Sequence, residues 1–261
     1  MRSLPIWLLV VSVTAIIRGA LGGELQDGNL VHFGHEVGPY TDNKYVKDFG
    51  KPEYVNMSRA EILEESPTKK VLRITTPAGA WGSRNSGGSL KTSIPPRDEY
   101  DLEYQIRFGH ANGTGFDFNK GGKLPGLAGG RCNTGGVRPT GDGWSARYMW
   151  RREGALVIYL YHLDQKGDYG EALPLDVKAQ LGKWYKLRQY IRLNNDGKND
   201  GILKIWVNGK LVLERNDIRY RLGSKALIDH FLFSHFWGGN DNTWAPGETS
   251  SIYFNDFRSW K

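Results

Sequence analysis

Residues 202–213 read Ile-Leu-Lys-Ile-Trp-Val-Asn-Gly-Lys-Leu-Val-Leu, and they carry the strongest secondary-structure signal in the chain. Two runs rich in large apolar residues flank Asn208 and Gly209, a dipeptide that favours a two-residue type I′ turn. Both central residues of that turn have positive φ angles, which match the right-handed twist of the adjoining strands. The segment therefore predicts an antiparallel β-hairpin.

The rest of the chain repeats this pattern of short alternating segments. Glycine, proline, asparagine and aspartate separate the segments, and only residues 58–65 have the apolar spacing of a helix. Many strands without helices between them predict an all-β fold. We expect a two-sheet antiparallel β-sandwich of jelly-roll type, with a cleft on one curved sheet. The alternating segments are residues 71–75, 100–108, 144–150, 155–162, 184–193, 202–207, 210–214, 230–236 and 252–257.

The composition is that of a globular protein with a basic surface. The 261 residues carry a formal charge of +7 at pH 7 and include 9 Trp, 13 Tyr and 10 Phe. This composition excludes a disordered, collagenous or disulfide-framed chain. The positive charge favours a polyanionic partner, namely nucleic acid, an anionic membrane or an acidic polysaccharide. So many aromatic residues also predict that some aromatic surface faces a ligand, for which sugar rings are one candidate.

The N-terminus has the pattern of a secretory signal peptide. A positively charged start precedes an apolar run over residues 5–17, and small residues follow it at the positions that signal peptidase prefers. The run is shorter than the about 20 residues of a membrane span. We therefore predict a signal peptide over residues 1–22, a single domain over residues 23–261, and a secreted, extracellular protein.

The predicted export narrows the choice of partner. Outside the cell an acidic polysaccharide replaces nucleic acid as the expected polyanion. No later segment is long and uncharged enough to span a membrane, so we expect no membrane partner. We also expect a monomer. Cys132 is the only cysteine, which excludes an internal disulfide and predicts a buried, small apolar residue at that position.

The sequence shows no pattern typical of a metal site. None of the six histidines forms a His-x-x-x-His pair. The loop over residues 194–201 lacks the bidentate glutamate and the flanking helices of a calcium loop. We therefore predict no metal. Asn56 and Asn112 begin Asn-x-Ser/Thr sequences, which are potential glycosylation sites in a secreted chain.

Four polar residues lie at alternate positions of two neighbouring predicted strands. Ser145 and Arg147 are two apart in one strand, and Tyr159 and Tyr161 are two apart in the next, so each pair projects from one face. If Arg147 pairs opposite Tyr159 and Ser145 opposite Tyr161, all four share that face, whereas a slip of one residue separates them. We predict the shared face; two tyrosines that simply pack on a strand are the alternative.

These four residues and Lys123, in the sequence Gly-Gly-Lys-Leu-Pro-Gly, resemble the active-site pattern of polysaccharide lyase family 14. The family includes alginate lyases of herbivorous molluscs and glucuronate-specific lyases of algal viruses. The detailed resemblance covers about 40 residues, and residues 233–241 support it more weakly. It implies a β-jelly-roll lyase that acts on uronic acid polymers without a metal or an organic cofactor. By resemblance to the mollusc members, we expect cleavage of mannuronate-rich alginate.

The residue types suit β-elimination at a 4-O-linked uronate. The reaction must neutralise the C6 carboxylate, remove the C5 proton and return a proton to the departing O4. Arg147 and Lys123 are cationic donors to the carboxylate, and Ser145 adds a neutral hydrogen bond. We favour Tyr161 as the base, because neighbouring cations favour its phenolate, with Tyr159 as its partner. The reverse assignment, and Lys123 as the base, both stay open.

Two further cations are candidates for binding neighbouring carboxylates. Lys120 lies in the same glycine-rich loop as Lys123, and Arg138 follows it along the chain. Each is otherwise a solvated surface charge.

Two other functions compete with the lyase. Glu99, Asp101 and Glu103 form a Glu-x-Asp-x-Glu pattern similar to the catalytic strand of family 16 glycoside hydrolases, which would use Glu99 and Glu103. An ordinary half-buried strand gives the same alternation. A non-catalytic module that binds acidic polysaccharide would use the same basic and aromatic face. Turnover distinguishes the three functions.

Overall fold

The computed structural model describes residues 30–110, 115–118 and 120–260. The predicted signal peptide and the Asn112 glycosylation sequence lie outside these residues. The division into residues 1–22 and 23–261 therefore stays a prediction.

The described residues form two antiparallel sheets, whose strands we number β1 to β16 in chain order. In the nine-stranded sheet the order is β14-β13-β12-β7-β16-β5-β4-β2, and β1 pairs with β16. Its strands are β1 (Leu30–Val31), β2 (Gly38–Pro39), β4 (Ala60–Ser66), β5 (Lys69–Thr76), β7 (Glu99–Phe108), β12 (Trp184–Arg192), β13 (Gly201–Val207), β14 (Lys210–Ile218) and β16 (Ser250–Trp260).

The seven-stranded sheet has the order β11-β10-β9-β8-β15-β6-β3. Its strands are β3 (Tyr54–Asn56), β6 (Gly88–Arg97), β8 (Gly122–Gly130), β9 (Gly143–Trp150), β10 (Ala155–Tyr161), β11 (Glu171–Lys178) and β15 (Ile228–Trp237). The helices of the described part are α1 (Asp42–Phe49), α2 (Gly82–Asn85) and two 3₁₀ turns, Arg152–Gly154 and Asn242–Trp244. None of these helices is long and apolar enough to cross a membrane.

The predicted two-sheet antiparallel sandwich is confirmed, and the hairpin is present where the sequence places it. β13 and β14 pair up to Val207 and Lys210, and Asn208 and Gly209 have φ angles of 51° and 80°. The helical spacing of residues 58–65, in contrast, produces no helix. β4 occupies this segment, because pairing with β5 buries its alternate side chains against the core.

The core lies between the two sheets and contains most of the large aromatic side chains. Trp144, Tyr148 and Trp150 project inward from β9, and Tyr104 of β7 stacks on Phe257 with ring centroids 4.9 Å apart. Much of the aromatic content therefore serves packing rather than ligand binding, which limits the prediction made from composition. β9 differs from an ordinary surface strand, because its outward-facing residues are buried as well.

Candidate active site

A cavity of about 660 Å³ lies on the outer face of the seven-stranded sheet. Side chains of β8, β9 and β10 form its floor, and loop residues around Thr134, Tyr169 and Trp244 form its walls. Tyr159 and Tyr161 of the floor belong to a small cluster that is separate from the main core, which shows that they face away from the nine-stranded sheet. The charged and phenolic residues of the lining are Lys123, Arg147, Arg151, Tyr159, Tyr161 and Tyr169.

The strand register brings the predicted residues together. Arg147 lies opposite Tyr159, and Ser145 lies opposite Tyr161, as predicted. Lys123 belongs to β8, the other neighbour of β9, and it lies opposite Met149, which is two positions beyond Arg147. The pairing of β8 and β9 shifts between Lys123 and Gly126, an irregularity that re-aims side chains locally. Five residues that span 39 positions of the sequence thus meet on one face.

The cavity contains cations without a carboxylate partner. Lys123 Nζ lies 3.1 Å from the sulfur of Met149 and 4.1 Å from the centre of the Tyr159 ring, and it makes no salt bridge within residues 30–110, 115–118 and 120–260. Burial, followed by the charges of Arg147 and Arg151, holds the pKa of Lys123 well below its usual value. Its amine therefore loses its proton more readily than a surface lysine.

Arg147 is the most buried of these cations. It is 4% exposed, and its Nε has no hydrogen-bond partner in the described part of the chain. Burial lowers its pKa to about 10, and the neighbouring tyrosines oppose that effect. The guanidinium still carries its charge at neutral pH. A buried cation of this kind is costly unless an anion completes its surroundings, so it is a receptor for a carboxylate.

The two tyrosines have different environments. Their rings meet edge to face, with centroids 5.4 Å apart. The hydroxyl of Tyr161 is fully buried and accepts a hydrogen bond of 3.0 Å from the backbone N–H of Gly136. Burial, and then the hydrogen bond and charge of Tyr161, raise the pKa of Tyr159 to about 12. Tyr159 therefore keeps its proton at neutral pH and is a donor rather than a base.

Ser145 and the two outlying cations are not among the residues that line the cavity. The Ser145 hydroxyl donates a 2.6 Å hydrogen bond to the backbone carbonyl of Asn133. Lys120 is partly exposed near Asp241, and Arg138 lies exposed on the loop after β8. Neither Lys120 nor Arg138 is among the residues that line the cavity.

Three contributors to the site were not predicted from the sequence. Arg151 lies over the Tyr159 ring at 5.9 Å, and Met149 contacts Lys123. Both continue the alternation that starts at Ser145, which is the signal that could have identified them. The third is the backbone N–H of Gly136, a contact that no pattern of side chains in the sequence indicates.

The carboxylates proposed for a glycoside hydrolase lie elsewhere. Glu99, Asp101 and Glu103 belong to β7 of the nine-stranded sheet, away from the cavity. Asp101 pairs with Arg188 at 2.7 Å. Glu99 accepts a hydrogen bond from Tyr190 at 2.9 Å, and Glu103 lies 3.4 Å from Lys186. The hydrolase prediction is therefore wrong, because these side chains are engaged in cross-strand pairs.

Comparison with known proteins identifies the family and the fold. A family model described as polysaccharide lyase 14 matches residues 64–257. The structure of alginate lyase Aly36B with an alginate tetrasaccharide is similar at a TM-score of 0.80 and 28% identity, over 92% of this chain and 98% of that one. The marine alginate lyase of the mollusc Aplysia kurodai gives a TM-score of 0.76 at 23% identity, over 89% and 97%.

A viral protein shares the fold at a greater distance. Alginate lyase vAL-1 from Chlorella virus gives a TM-score of 0.67 at 22% identity and covers 80% of this chain and 91% of its own. A search of curated protein sequences finds no match.

Proposed function

The chain belongs to polysaccharide lyase family 14, and we propose that it cleaves alginate by β-elimination and leaves a 4,5-unsaturated uronate at the new end. The observation that carries this proposal is the buried Arg147 and the half-buried Lys123 beside two tyrosines, where none of the described residues provides a carboxylate partner for either cation. The repeating carboxylates of a polyuronate supply the missing anion. The alginate tetrasaccharide bound to Aly36B supports the choice of polymer.

Arg147 is the group that holds the C6 carboxylate. Its guanidinium is charged, buried and aimed into the cavity from the middle of β9. As the C5 proton leaves, negative charge spreads from C5 onto the carboxylate, and a fixed cation stabilises that charge without reorganisation. Arg151 adds a second positive charge to the lining of the cavity. Binding and activation of the carboxylate thus use the same groups.

Of the bases that the sequence leaves open, the surroundings support Lys123. Its lowered pKa makes a neutral amine more accessible than that of a surface lysine, whereas Tyr159, with a pKa of about 12, holds its proton at neutral pH. The amine takes the proton from C5, and the electron pair of that C–H bond becomes the C4–C5 double bond. The bond between C4 and O4 breaks at the same stage of the reaction.

Tyr159 returns a proton to the departing O4. Its hydroxyl is protonated, and it reaches the cavity more openly than that of Tyr161. Tyr161 is then a positioning residue, whose hydroxyl links Tyr159 to the backbone of Gly136. The variant Tyr159→Phe should lose about 10² to 10⁴-fold in kcat. Tyr161→Phe should lose less, and equal losses in both variants would contradict the division of roles.

The positions of Lys123 and Tyr159 support mannuronate as the preferred residue. Lys123 Nζ lies over the Tyr159 ring, so the base and the acid approach a bound sugar from the same side. In mannuronate the C5 proton and the O4 leaving group lie on the same side of the ring. In guluronate they lie on opposite sides, so we propose a preference for mannuronate-rich over guluronate-rich alginate. Glucuronate shares the mannuronate arrangement at C4 and C5, and the choice of alginate over glucuronan is supported by the similarity to Aly36B.

The deciding experiment follows the ultraviolet absorbance of the unsaturated product. The purified protein is incubated separately with polymannuronate, polyguluronate and glucuronan at equal uronate concentration. The expected result is the fastest rise in absorbance on polymannuronate. Faster cleavage of glucuronan would contradict the alginate assignment, and no rise on any polymer would contradict β-elimination and favour the binding module.

Export and oligomeric state complete the proposal. The apolar N-terminal segment supports secretion, and the chain is proposed to act outside the cell as a monomer with one folded domain. Expression of the complete chain in a eukaryotic secretory host should yield protein in the medium that begins at residue 23, with the mass of one chain by light scattering. Retention inside the cell with residues 1–22 attached would contradict export.

A further inference from the structure

A second group of reactive side chains lies on the same face of the seven-stranded sheet, outside the cavity lining. It consists of Cys132, Asp229 and His230, whose Sγ, carboxylate oxygen and ring nitrogen all lie within 4.8 Å of one another. We propose that these three residues bind a thiophilic divalent cation of the Zn²⁺ class. Within the described residues this is the one group of three or more such side chains with that spacing.

The fold builds this cluster with two local irregularities. The pairing of β15 with β8 shifts between Ile228 and His230 so that β15 has the extra residue, which is a β-bulge at Asp229. The pairing with β6 also shifts there, with the extra residues on β6. Consecutive residues of a regular strand point to opposite faces, and the bulge lets Asp229 and His230 meet on one face. Cys132 has a φ of 51°, in the left-handed region that non-glycine residues seldom adopt. Two unusual backbone conformations thus converge on the cluster.

The ligand types favour zinc over calcium or magnesium. A thiolate, an imidazole and a carboxylate are the donors that tetrahedral zinc sites use, while the hard cations select oxygen ligands alone. Three protein ligands leave a fourth position for water. Cys132 is buried while Asp229 and His230 are partly exposed, so the open position faces the solvent side of the sheet.

The surroundings already orient the ligands. His230 contacts Asp229 through Nδ1 and Glu53 through Nε2, the latter at 2.8 Å. A ligand histidine commonly gives its second ring N–H to a carboxylate, and Glu53 is placed for that role. Glu53 is itself held by Lys91 at 2.7 Å and by Ser93 at 3.0 Å. The backbone N–H of Gly130 donates to Asp229 at 3.1 Å.

The cluster is separate from the proposed active site but lies in line with it. Along one cross-strand row, Ser145 pairs with Ala128, and Ala128 pairs with His230. Two strand spacings put His230 about 10 Å from Ser145. The cation proposal does not depend on the lyase mechanism, and each can fail while the other stands.

Cobalt is the probe that tests the site. Untagged, chelator-treated protein is titrated with Co²⁺ at pH 8, and the near-ultraviolet band of a thiolate–cobalt bond is recorded. One equivalent should produce the band, and one equivalent of Zn²⁺ should abolish it. A titration without the band, or a band that Zn²⁺ leaves unchanged, would overturn the proposal.

Matched variants locate the ligands. Cys132→Ser should lose the band, and His230→Gln should weaken Co²⁺ binding at least tenfold. His32→Gln is the control, because His32 pairs with Asp256 at 2.8 Å on the other sheet without a cysteine nearby. Binding that is unchanged in Cys132→Ser and His230→Gln would exclude the site.

A measurement on the unaltered protein covers the case in which those variants do not fold. Alkylation of Cys132 by iodoacetamide should slow in the presence of equimolar Zn²⁺, because a metal-bound thiolate is a poor nucleophile toward the reagent. An unchanged alkylation rate would contradict the proposal without any substitution.

Discussion

The outer faces of the two sheets carry similar charges in opposite arrangements. On the nine-stranded sheet cations meet carboxylates across neighbouring strands, as Arg188 meets Asp101 at 2.7 Å and Lys204 meets Glu214 at 3.0 Å. On the seven-stranded sheet the half-buried Lys123 lies near the buried Arg147, and no salt bridge to either occurs within the described residues. These two cavity cations are therefore unpaired, although Lys91 and Glu53 form a pair elsewhere on the same face.

The difference separates charges that serve the fold from charges that serve the substrate. A paired surface charge contributes modestly to stability and is already neutralised. A buried cation without a partner costs stability, and it is retained where a ligand supplies the opposite charge. This contrast predicts that substitutions on one sheet change activity, while equivalent substitutions on the other change stability.

The largest effect should come from Lys123→Met. The variant removes the proposed base, so kcat should fall about 10³ to 10⁴-fold, measured by product absorbance on polymannuronate. Folding should persist, because methionine fills the space without a buried charge. Lys186→Met, which removes the partner of Glu103 on the other sheet, should keep nearly full activity. Similar activities in the two variants would remove Lys123 from the reaction.

A second pair of variants should show opposite effects. Arg147→Met should lower kcat/KM about 10² to 10³-fold, because the carboxylate loses its cation, while the free energy of unfolding stays equal or rises. Arg188→Met should keep activity and lose about 1–3 kcal/mol of stability, because Asp101 is buried and would lose its partner. Urea denaturation and initial rates check both. A loss of stability in Arg147→Met would show that this cation also supports the fold.

The pH dependence of kcat/KM tests the assignment of the base. A neutral amine is required, so the rate should fall about tenfold per pH unit below the pKa of Lys123. Arg151 is one of the positive charges that lower this pKa. Arg151→Gln should therefore raise it and move the acid limb to higher pH. Arg152→Gln changes the exposed neighbouring residue in the 3₁₀ turn and should leave the acid limb in place. An acid limb that does not move in Arg151→Gln would contradict the assignment of Lys123 as the base.

The strand pattern and the main residues of the site could be predicted from the sequence. The Asn208 turn and the two-residue spacings depend on local geometry, so alternation placed each pair of site residues on one face. The predicted register, with Arg147 opposite Tyr159, then joined the two pairs. Arg151 follows the same alternation, but it was not predicted because it lies beyond the end of β9. Periodicity failed at residues 58–65, where pairing with β5 overrides the local apolar spacing.

Other features depend on contacts between distant segments and could not be predicted. The roles of Lys123 and Tyr159 rest on burial, which sets their pKa values in opposite directions and which spacing does not report. The cluster around His230 joins a turn after β8 to a bulge in β15. A bulge breaks the alternation on which a prediction from sequence relies.

The smallest predicted effect concerns the inner face of the seven-stranded sheet, where β15 buries His235 in the core. The ring lies 5.3 Å from that of Trp150 and 5.4 Å from that of Trp237. Burial lowers its pKa to about 3, and neither ring nitrogen has a hydrogen-bond partner within the described residues. The unfolded chain binds a proton near pH 6.5 that the folded chain excludes, so stability is lost as the pH falls below that value.

As the pH falls from 6.5 to 5, His235 alone should lower the free energy of unfolding. The slope should approach about 1.4 kcal/mol per pH unit at the acidic end of this range. Carboxylates such as Glu53, with a pKa of about 2, add their own loss only once the pH falls into the range in which free carboxyl groups titrate. Burial also lowers the pKa of His162, which gives a slope of the same sign, so the comparison must be made against a variant. His235→Phe, measured by urea denaturation at pH 6.5, 6.0, 5.5 and 5.0, should show a shallower slope than the unaltered protein. Equal slopes would mean that the imidazole gains a proton inside the fold, and that the inner face of this sheet tolerates a charge as the outer face does.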